Sequence, residues 1–250
     1  MTVDLPRHFV IRESSHRVLN PIEPAQLATL GAALRLPVGG TVLDLACGKG
    51  ELLCTWARDH GITGTGVDIG TAFLADARER AAGLGVADRV AFVHGDAGEY
   101  VAAELVDVVA CIGATWIGGG TPGTVRLMER SRKPSGMLLV GDVFWRVDPP
   151  REAVDALFGD LRGVDCLPLP ESVERFHALG YDVVEFVAAD ERGWDRYVAA
   201  GWLSMRRWLD ANPDDELAPE IRAELTRSQL HHVRWQRPYL GWGTFALMRR

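Results

Sequence analysis

Spaced carboxylates and a doubled glycine mark the places where this chain can do chemistry. Asp44 stands inside an apolar run, residues 42–46, that stops at Gly48 and Gly50. Leu52, Leu53, Trp56 and Ala57 then recur with helical period, so a strand, a tight turn and a helix follow one another. Glycines at such a turn let a ligand lie against main-chain N–H groups, because no β-carbon stands between them. Two further acids follow the same logic. Asp68 comes at the end of a β-branched run, residues 62–69, and Asp96 directly follows the run at 90–94. A carboxylate placed like Asp68 offers several lone pairs at one point and can accept from two ribose hydroxyls.

The turn fits neither of two phosphate-binding fingerprints. A dinucleotide loop needs G-x-G-x-x-G, and the frames beginning at Ala46 and at Gly48 both lack the third glycine. A P-loop needs Gly-Lys-Ser/Thr after four intervening residues, and Gly48-Lys49-Gly50-Glu51 does not supply it. The ligand is therefore expected to be held without phosphates. Asp44-x-x-x-Gly48-x-Gly50 after an apolar strand resembles the first motif of the class I S-adenosylmethionine (SAM) dependent methyltransferases. The resemblance implies that the turn lies against the methionine part of SAM and that Asp44 helps to hold its ammonium end. It implies Asp68 for the ribose and Asp96 for the adenine amino group. Ala46, Gly48, Gly50, Ile69, Ala97, Ile112 and Gly113 complete the expected cofactor set, with S-adenosyl-L-homocysteine as product. The family's usual first glycine is Ala46 in this chain, which narrows the turn.

The elements that must position these residues alternate as strand and helix. The pattern predicts helices near 24–36, across Leu52 to Ala57, 71–84 and 125–132, strands at 42–46, 62–69, 90–94, 105–112, 137–145 and 181–187, and a turn at Lys133-Pro134-Ser135-Gly136 before the fifth strand. A last strand is expected at 243–248, more than fifty residues after the sixth. Two helical segments fill the gap, about 194–209 and 217–232. Residues 151–180 read as helical pieces around Cys166-Leu167-Pro168-Leu169-Pro170, and residues 1–22 as irregular. The resulting fold class is α/β: a Rossmann-like methyltransferase with a seven-stranded, mostly parallel sheet, an antiparallel last strand, helices on both faces and an added helical cap. One domain, 1–250, divides into an N-terminal lid and helix (1–36), a SAM-binding core (37–190), a helical insertion (191–240) and the last strand (241–250).

Composition bounds the partners. With 250 residues, 47% of them hydrophobic, the chain can bury a full core, and it holds no apolar run long enough to span a membrane. A net charge of -7 argues against a long nucleic-acid track. The loop after the fourth strand, Ile112-Gly113-Ala114-Thr115, also lacks the Asn/Asp-Pro-Pro-aromatic motif that resembling base methyltransferases carry there. Four scattered cysteines lack zinc-site spacing, so no metal is expected, and the N-terminus carries no export pattern, so the cytoplasm is the expected location.

His16-Arg17-x-x-Asn20-Pro21, the stretch 115–119 and Gly241-Trp242-Gly243 are similar to a bacterial group of stand-alone methyltransferases thought to act on small molecules. That implies a small-molecule methyl acceptor. The alternatives are a nucleic-acid methyltransferase and a non-catalytic SAM-binding module. His16, Arg17 and Asn20 are candidate lid residues. Trp116, Trp145, Tyr197 and Tyr239 are the candidates for substrate contact, and five tryptophans from Trp194 onward suggest an aromatic cap on the substrate side. Alignment of nucleophile, methyl and sulfur can contribute up to roughly 7 to 11 kcal/mol. A general base adds roughly 10²- to 10⁴-fold when the nucleophile arrives protonated, and His16, Asp142, His231, His232 and Tyr239 are its candidates.

Overall fold

The computed structural model describes residues 4–159 and 166–250. Residues 1–3, and residues 160–165 within the stretch expected as helical pieces, lie outside the described residues. Seven strands form a single sheet: β1 Thr41–Leu45, β2 Thr63–Asp68, β3 Val90–His94, β4 Val106–Ile112, β5 Arg132–Trp145, β6 Tyr181–Ala188 and β7 Leu240–Arg249, in the order β3-β2-β1-β4-β5-β7-β6. The pairings β1·β2, β1·β4, β2·β3 and β4·β5 are parallel, and β7 runs antiparallel between β5 and β6. Helices on both faces bury the central strands, which is why β1 and β4 read as near-continuous apolar runs. Asp44 is the polar exception in β1, and such an exception inside a buried strand needs a reason. Strand order reverses between β1 and β4, and an open α/β sheet forms its ligand crevice outside the carboxyl ends at that point.

The flanking helices start where the sequence gives them caps. In α2, Pro24–Leu34, Glu23 and Gln26 form a reciprocal capping box with Pro24 at the first position. Helix α3, Glu51–His60, leaves the glycine turn and buries Leu53, Cys54, Trp56 and Ala57, with the Trp56 indole N–H donating to Leu27 O at 3.1 Å. Helix α4 spans Thr71–Gly83, α5 Thr121–Glu129, α6 Arg151–Phe158 and α7 Leu169–Ala178. The expected turn at Lys133-Pro134-Ser135-Gly136 is a bulge within β5: Arg132 already pairs with Val106, and pairing resumes at Met137 opposite Val108. The Arg132 guanidinium fills the bulge, donating to the carbonyls of Lys133, Pro134 and Gly136 at 2.7, 2.8 and 3.0 Å.

Two elements depart from the sequence reading. Residues 1–22 are not wholly irregular, because Arg7–Arg12 form a short helix, α1. Six residues are too few for a periodic signal, and α1 is held by tertiary contacts. Its support is the inserted helical pair, α8 Glu191–Ala211 and α9 Ala218–His231. Ile11 of α1 packs with Met205 and Leu209 of α8 and Ile221 and Leu225 of α9 in a satellite core. The expected aromatic cap is built differently. Trp202 stands edge-on to His232 at 5.8 Å, Trp208 lies beneath the Arg7 guanidinium at 5.7 Å, and Trp194 packs against the main core. These rings join helix to helix or helix to core, and apolar periodicity is the same whether a stripe faces a neighbour or a cavity. No described helix is long and apolar enough to cross a membrane.

Candidate active site

A cavity of about 510 Å³ opens at the carboxyl ends of β1, β2 and β4, at the reversal in strand order. Its floor is the glycine turn. Ala46, Gly48 and Gly50 have φ of +61°, +54° and +68°, so the turn needs the left-handed region three times within five residues. A β-carbon on Gly48 would stand 2.7 Å from Leu19 Cδ1, so the N-terminal segment sits directly on the turn. Asp68 stitches the turn to the next loop, its Oδ2 accepting from Gly48 N–H and its Oδ1 from Gly70 N–H, both at 2.8 Å. Each oxygen keeps a lone pair for a further donor.

Asp44 is only 5% exposed, lines the cavity, and receives no hydrogen bond from any described residue. Burial, followed by the neighbouring Asp68 carboxylate, pushes it up to about 8. Burial also raises Asp68, against the lowering effect of its N–H donors. A buried carboxylate without a donor is costly unless a cation meets it, and the ammonium of an amino acid is such a cation. The donor set, with an unpartnered acid at the turn, spare lone pairs on Asp68 and Asp96 at the far edge, fits a zwitterionic nucleoside such as SAM.

The roof is the N-terminal segment, with Leu5, Phe9, Val18, Leu19 and Asn20 facing inward. Lys49, in the middle of the glycine turn, is 4% exposed and reaches up to it, donating to the carbonyls of Glu13 and Ser14 at 3.0 Å each while pairing with Asp76 at 3.0 Å. Asn20 Nδ2 donates to Ile112 O at 3.0 Å, and a β-carbon on Gly113, φ +78°, would overlap Asn20 Oδ1. Glu13 anchors the segment to α8. It pairs with Arg12 at 2.8 Å and His16 at 3.0 Å and accepts from Tyr197 Oη at 3.1 Å. Burial raises its carboxyl, but His16 and Arg12 hold it below the usual range.

The expected cofactor residues converge on this cavity: Asp44, Ala46, Gly48, Asp68, Ile69, Asp96, Ala97, Ile112 and Gly113 all line it. Gly50 does not. A β-carbon there would meet the Phe92 ring of β3 at 2.7 Å and Ala77 Cβ of α4 at 3.0 Å, so Gly50 lets the turn pack against β3 and α4. Of the substrate candidates, Trp116 lines the cavity from the 3₁₀ turn Thr115–Gly118 and is 69% exposed. Trp145 is buried edge-on against Phe158 at 5.4 Å, and the Tyr197 ring lies tilted against His16 with centroids 4.4 Å apart. Tyr239 is half-buried outside the cavity, with its carbonyl accepting from Arg146 N–H.

None of the five candidate bases lines the cavity. His16 is held between Glu13 and Tyr197 O, the latter at 2.7 Å. Asp142 ties loops together, accepting from Thr115 Oγ1 at 2.7 Å and Thr121 Oγ1 at 3.0 Å, and burial raises its carboxyl despite them. His232 is locked between Asp195 at 2.9 Å and Gln236 at 3.2 Å, in the π-helical turn that continues α9. His231 sits in the last turn of α9, below the usual histidine range through burial. The sequence reading missed Leu5, Phe9 and the Lys49 tie. One signal was available, because Lys49 is one of only two lysines in a chain whose other basic side chains are arginines.

A parallel sheet closed by an antiparallel last strand, with an acid-lined glycine turn at its reversal, defines the class I methyltransferases. Residues 42–136 match the methyltransferase domain family model. The chain is 58% identical to a SAM-dependent methyltransferase from Geobacter sulfurreducens crystallised with S-adenosyl-L-homocysteine, covering 100% of both chains with a TM-score of 0.94. It is 56% identical to the corresponding enzyme from Thiobacillus denitrificans, also with S-adenosyl-L-homocysteine, covering 99% of this chain and 100% of that one with a TM-score of 0.94. It is 53% identical over 248 residues to the Escherichia coli protein YjhP, covering 99% of this chain and 100% of the relative. The chain belongs to the SAM-dependent methyltransferases, and SAM is its cofactor.

Proposed function

We propose that the enzyme transfers a methyl group from SAM to a small-molecule acceptor enclosed beneath its N-terminal segment. The observation that carries this reading is the roofed cavity of about 510 Å³, closed by Leu19 and Asn20 against the glycine turn and the end of β4. Such a space suits a nucleoside donor with a small partner and leaves little passage for a nucleic-acid strand. The net charge of -7 favours the same reading. In this reading Asp44 takes the ammonium end of the donor, Asp68 the ribose hydroxyls and Asp96 the adenine amino group. The backbone at Ala46, Gly48 and Gly113 allows close approach, and Ile69, Ala97 and Ile112 pack beside the purine or the methionine chain.

When bound, SAM supplies a methyl carbon already activated by its sulfonium. What remains for the chain is alignment and exclusion of water, by Asn20 at the carboxyl end of β4 and by the apolar roof. Trp116 is placed to contact the acceptor at the cavity rim. The buried thiols Cys47, Cys54 and Cys111 accord with a reducing, cytoplasmic setting. The test is incubation with SAM and a metabolite extract, followed by mass spectrometry. A metabolite heavier by one methyl group, formed together with S-adenosyl-L-homocysteine, supports the reading, and no such product from any metabolite pool contradicts it.

A further inference from the structure

We propose that Arg17 is the cation that receives the α-carboxylate of the donor, so that the enzyme selects the complete methionine end of SAM. This rests on the assignment of Asp44 to the ammonium group and completes the zwitterion's recognition. A carboxylate entering beside the buried Asp44 and Asp68 meets like charge, and the site therefore needs a compensating cation. Two cationic side chains line the cavity among the described residues, Lys49 and Arg17.

Lys49 has no capacity left. Its three ammonium N–H groups face three oxygens, Glu13 O, Ser14 O and Asp76 Oδ2, each at 3.0 Å. Arg17 is in the opposite condition. Its side chain is 56% exposed, and only Nε and Nη2 are engaged, with Glu51 Oε2 at 3.3 Å and Glu51 Oε1 at 2.7 Å. The rest of the guanidinium fork remains for an incoming carboxylate, whose paired oxygens it matches in geometry. Glu51 does not depend on Arg17 either, because Arg80 Nη1 holds it at 2.6 Å. Arg17 can therefore share or leave Glu51 without stranding a buried acid.

Its position agrees with the role. Glu51 is the first residue of α3, directly after Gly50, so the ion pair holds Arg17 beside the glycine turn, in the cavity that Asp44 and Gly48 also line. The first turn of α3 has no side-chain cap, and its N–H groups add positive potential at the same place.

The test is calorimetric binding of two ligands, SAM and decarboxylated SAM, which keeps the nucleoside, sulfonium and ammonium but lacks the carboxylate. Wild-type protein is expected to bind SAM more tightly than the decarboxylated form. Arg17→Met should weaken SAM binding about tenfold or more while leaving the decarboxylated ligand unchanged. Arg17→Lys should recover part of the loss, and an unaltered melting temperature in both variants checks the fold. The proposal is overturned if Arg17→Met leaves SAM affinity intact or weakens both ligands equally, the latter being the mark of a roof contact. Wild-type protein that binds neither ligand would instead remove the cofactor assignment on which the proposal stands.

Discussion

With burial and Asp68 raising Asp44 to about 8, the donor-free protein keeps a proton there at neutral pH, whereas the unfolded chain releases it near its ordinary value of about 3.9. Between those values the folded state binds more protons than the unfolded state, so this group's contribution to stability falls as pH rises from about 4 to about 8. Asp44→Asn is expected to remove that loss, giving a higher melting temperature than wild type near pH 8 without donor. On the proposed pairing of Asp44 with the ammonium of SAM, the same variant should bind SAM more weakly, since an amide cannot neutralise an ammonium. On the same pairing the donor takes the ionised form in wild type, so SAM affinity should increase with pH up to about 8, by at most about tenfold per unit, and binding below that pH should release a proton measurable by calorimetry in different buffers. Ala46 makes a second prediction. A non-glycine residue at φ +61° carries roughly 1 to 2 kcal/mol of strain, partly offset in a glycine by greater chain entropy. Chemical denaturation of Ala46→Gly should therefore show stability unchanged or raised by about 1 kcal/mol. Gly113→Ala should do the reverse, displacing Asn20 and reducing turnover, because its β-carbon would overlap the Asn20 amide.

Among the elements, the N-terminal segment, the glycine turn and the α8–α9 pair act as one assembly. The turn holds the segment from below through Lys49, and the pair holds α1 from behind through Ile11, Met205 and Leu225. Lys49→Met is expected to loosen the roof while leaving the sheet intact, so amide hydrogen exchange should accelerate in residues 7–20 and S-adenosyl-L-homocysteine should dissociate faster. Exchange unchanged in that segment would show that other contacts hold it. Met205→Ala opens a void in the satellite core and should cost about 2 to 5 kcal/mol in denaturation. Little of this assembly was legible in the sequence, for physical reasons. The Lys49 contacts join residues 35 and 36 positions apart through backbone carbonyls, which leave no side-chain signature. Helix α1 has too few residues for periodicity, and the tryptophans of α8 carry the helical pattern without saying what faces them.

At the scale of the whole molecule, the sheet was legible because its signals are local. Asp44 stands within, Asp68 ends and Asp96 follows a run whose strand character is written in five or six adjacent residues, and parallel α/β connectivity then orders them along one edge. The donor side of the cavity follows from that order. The proposed acceptor side does not, because Asn20, Trp116 and the apolar roof come together only through the folded path of the N-terminal segment. In the proposed reading this division separates the donor site from an acceptor space beneath the N-terminal segment. The most direct measurement is the destination of a deuterated methyl group after wild-type enzyme acts on whole cell extract, with small molecules, nucleic acid and protein separated before mass spectrometry. The label is predicted in the small-molecule fraction, matched by S-adenosyl-L-homocysteine and lost in Asp44→Asn. Label carried mainly by nucleic acid or protein would contradict the enclosed small-molecule site.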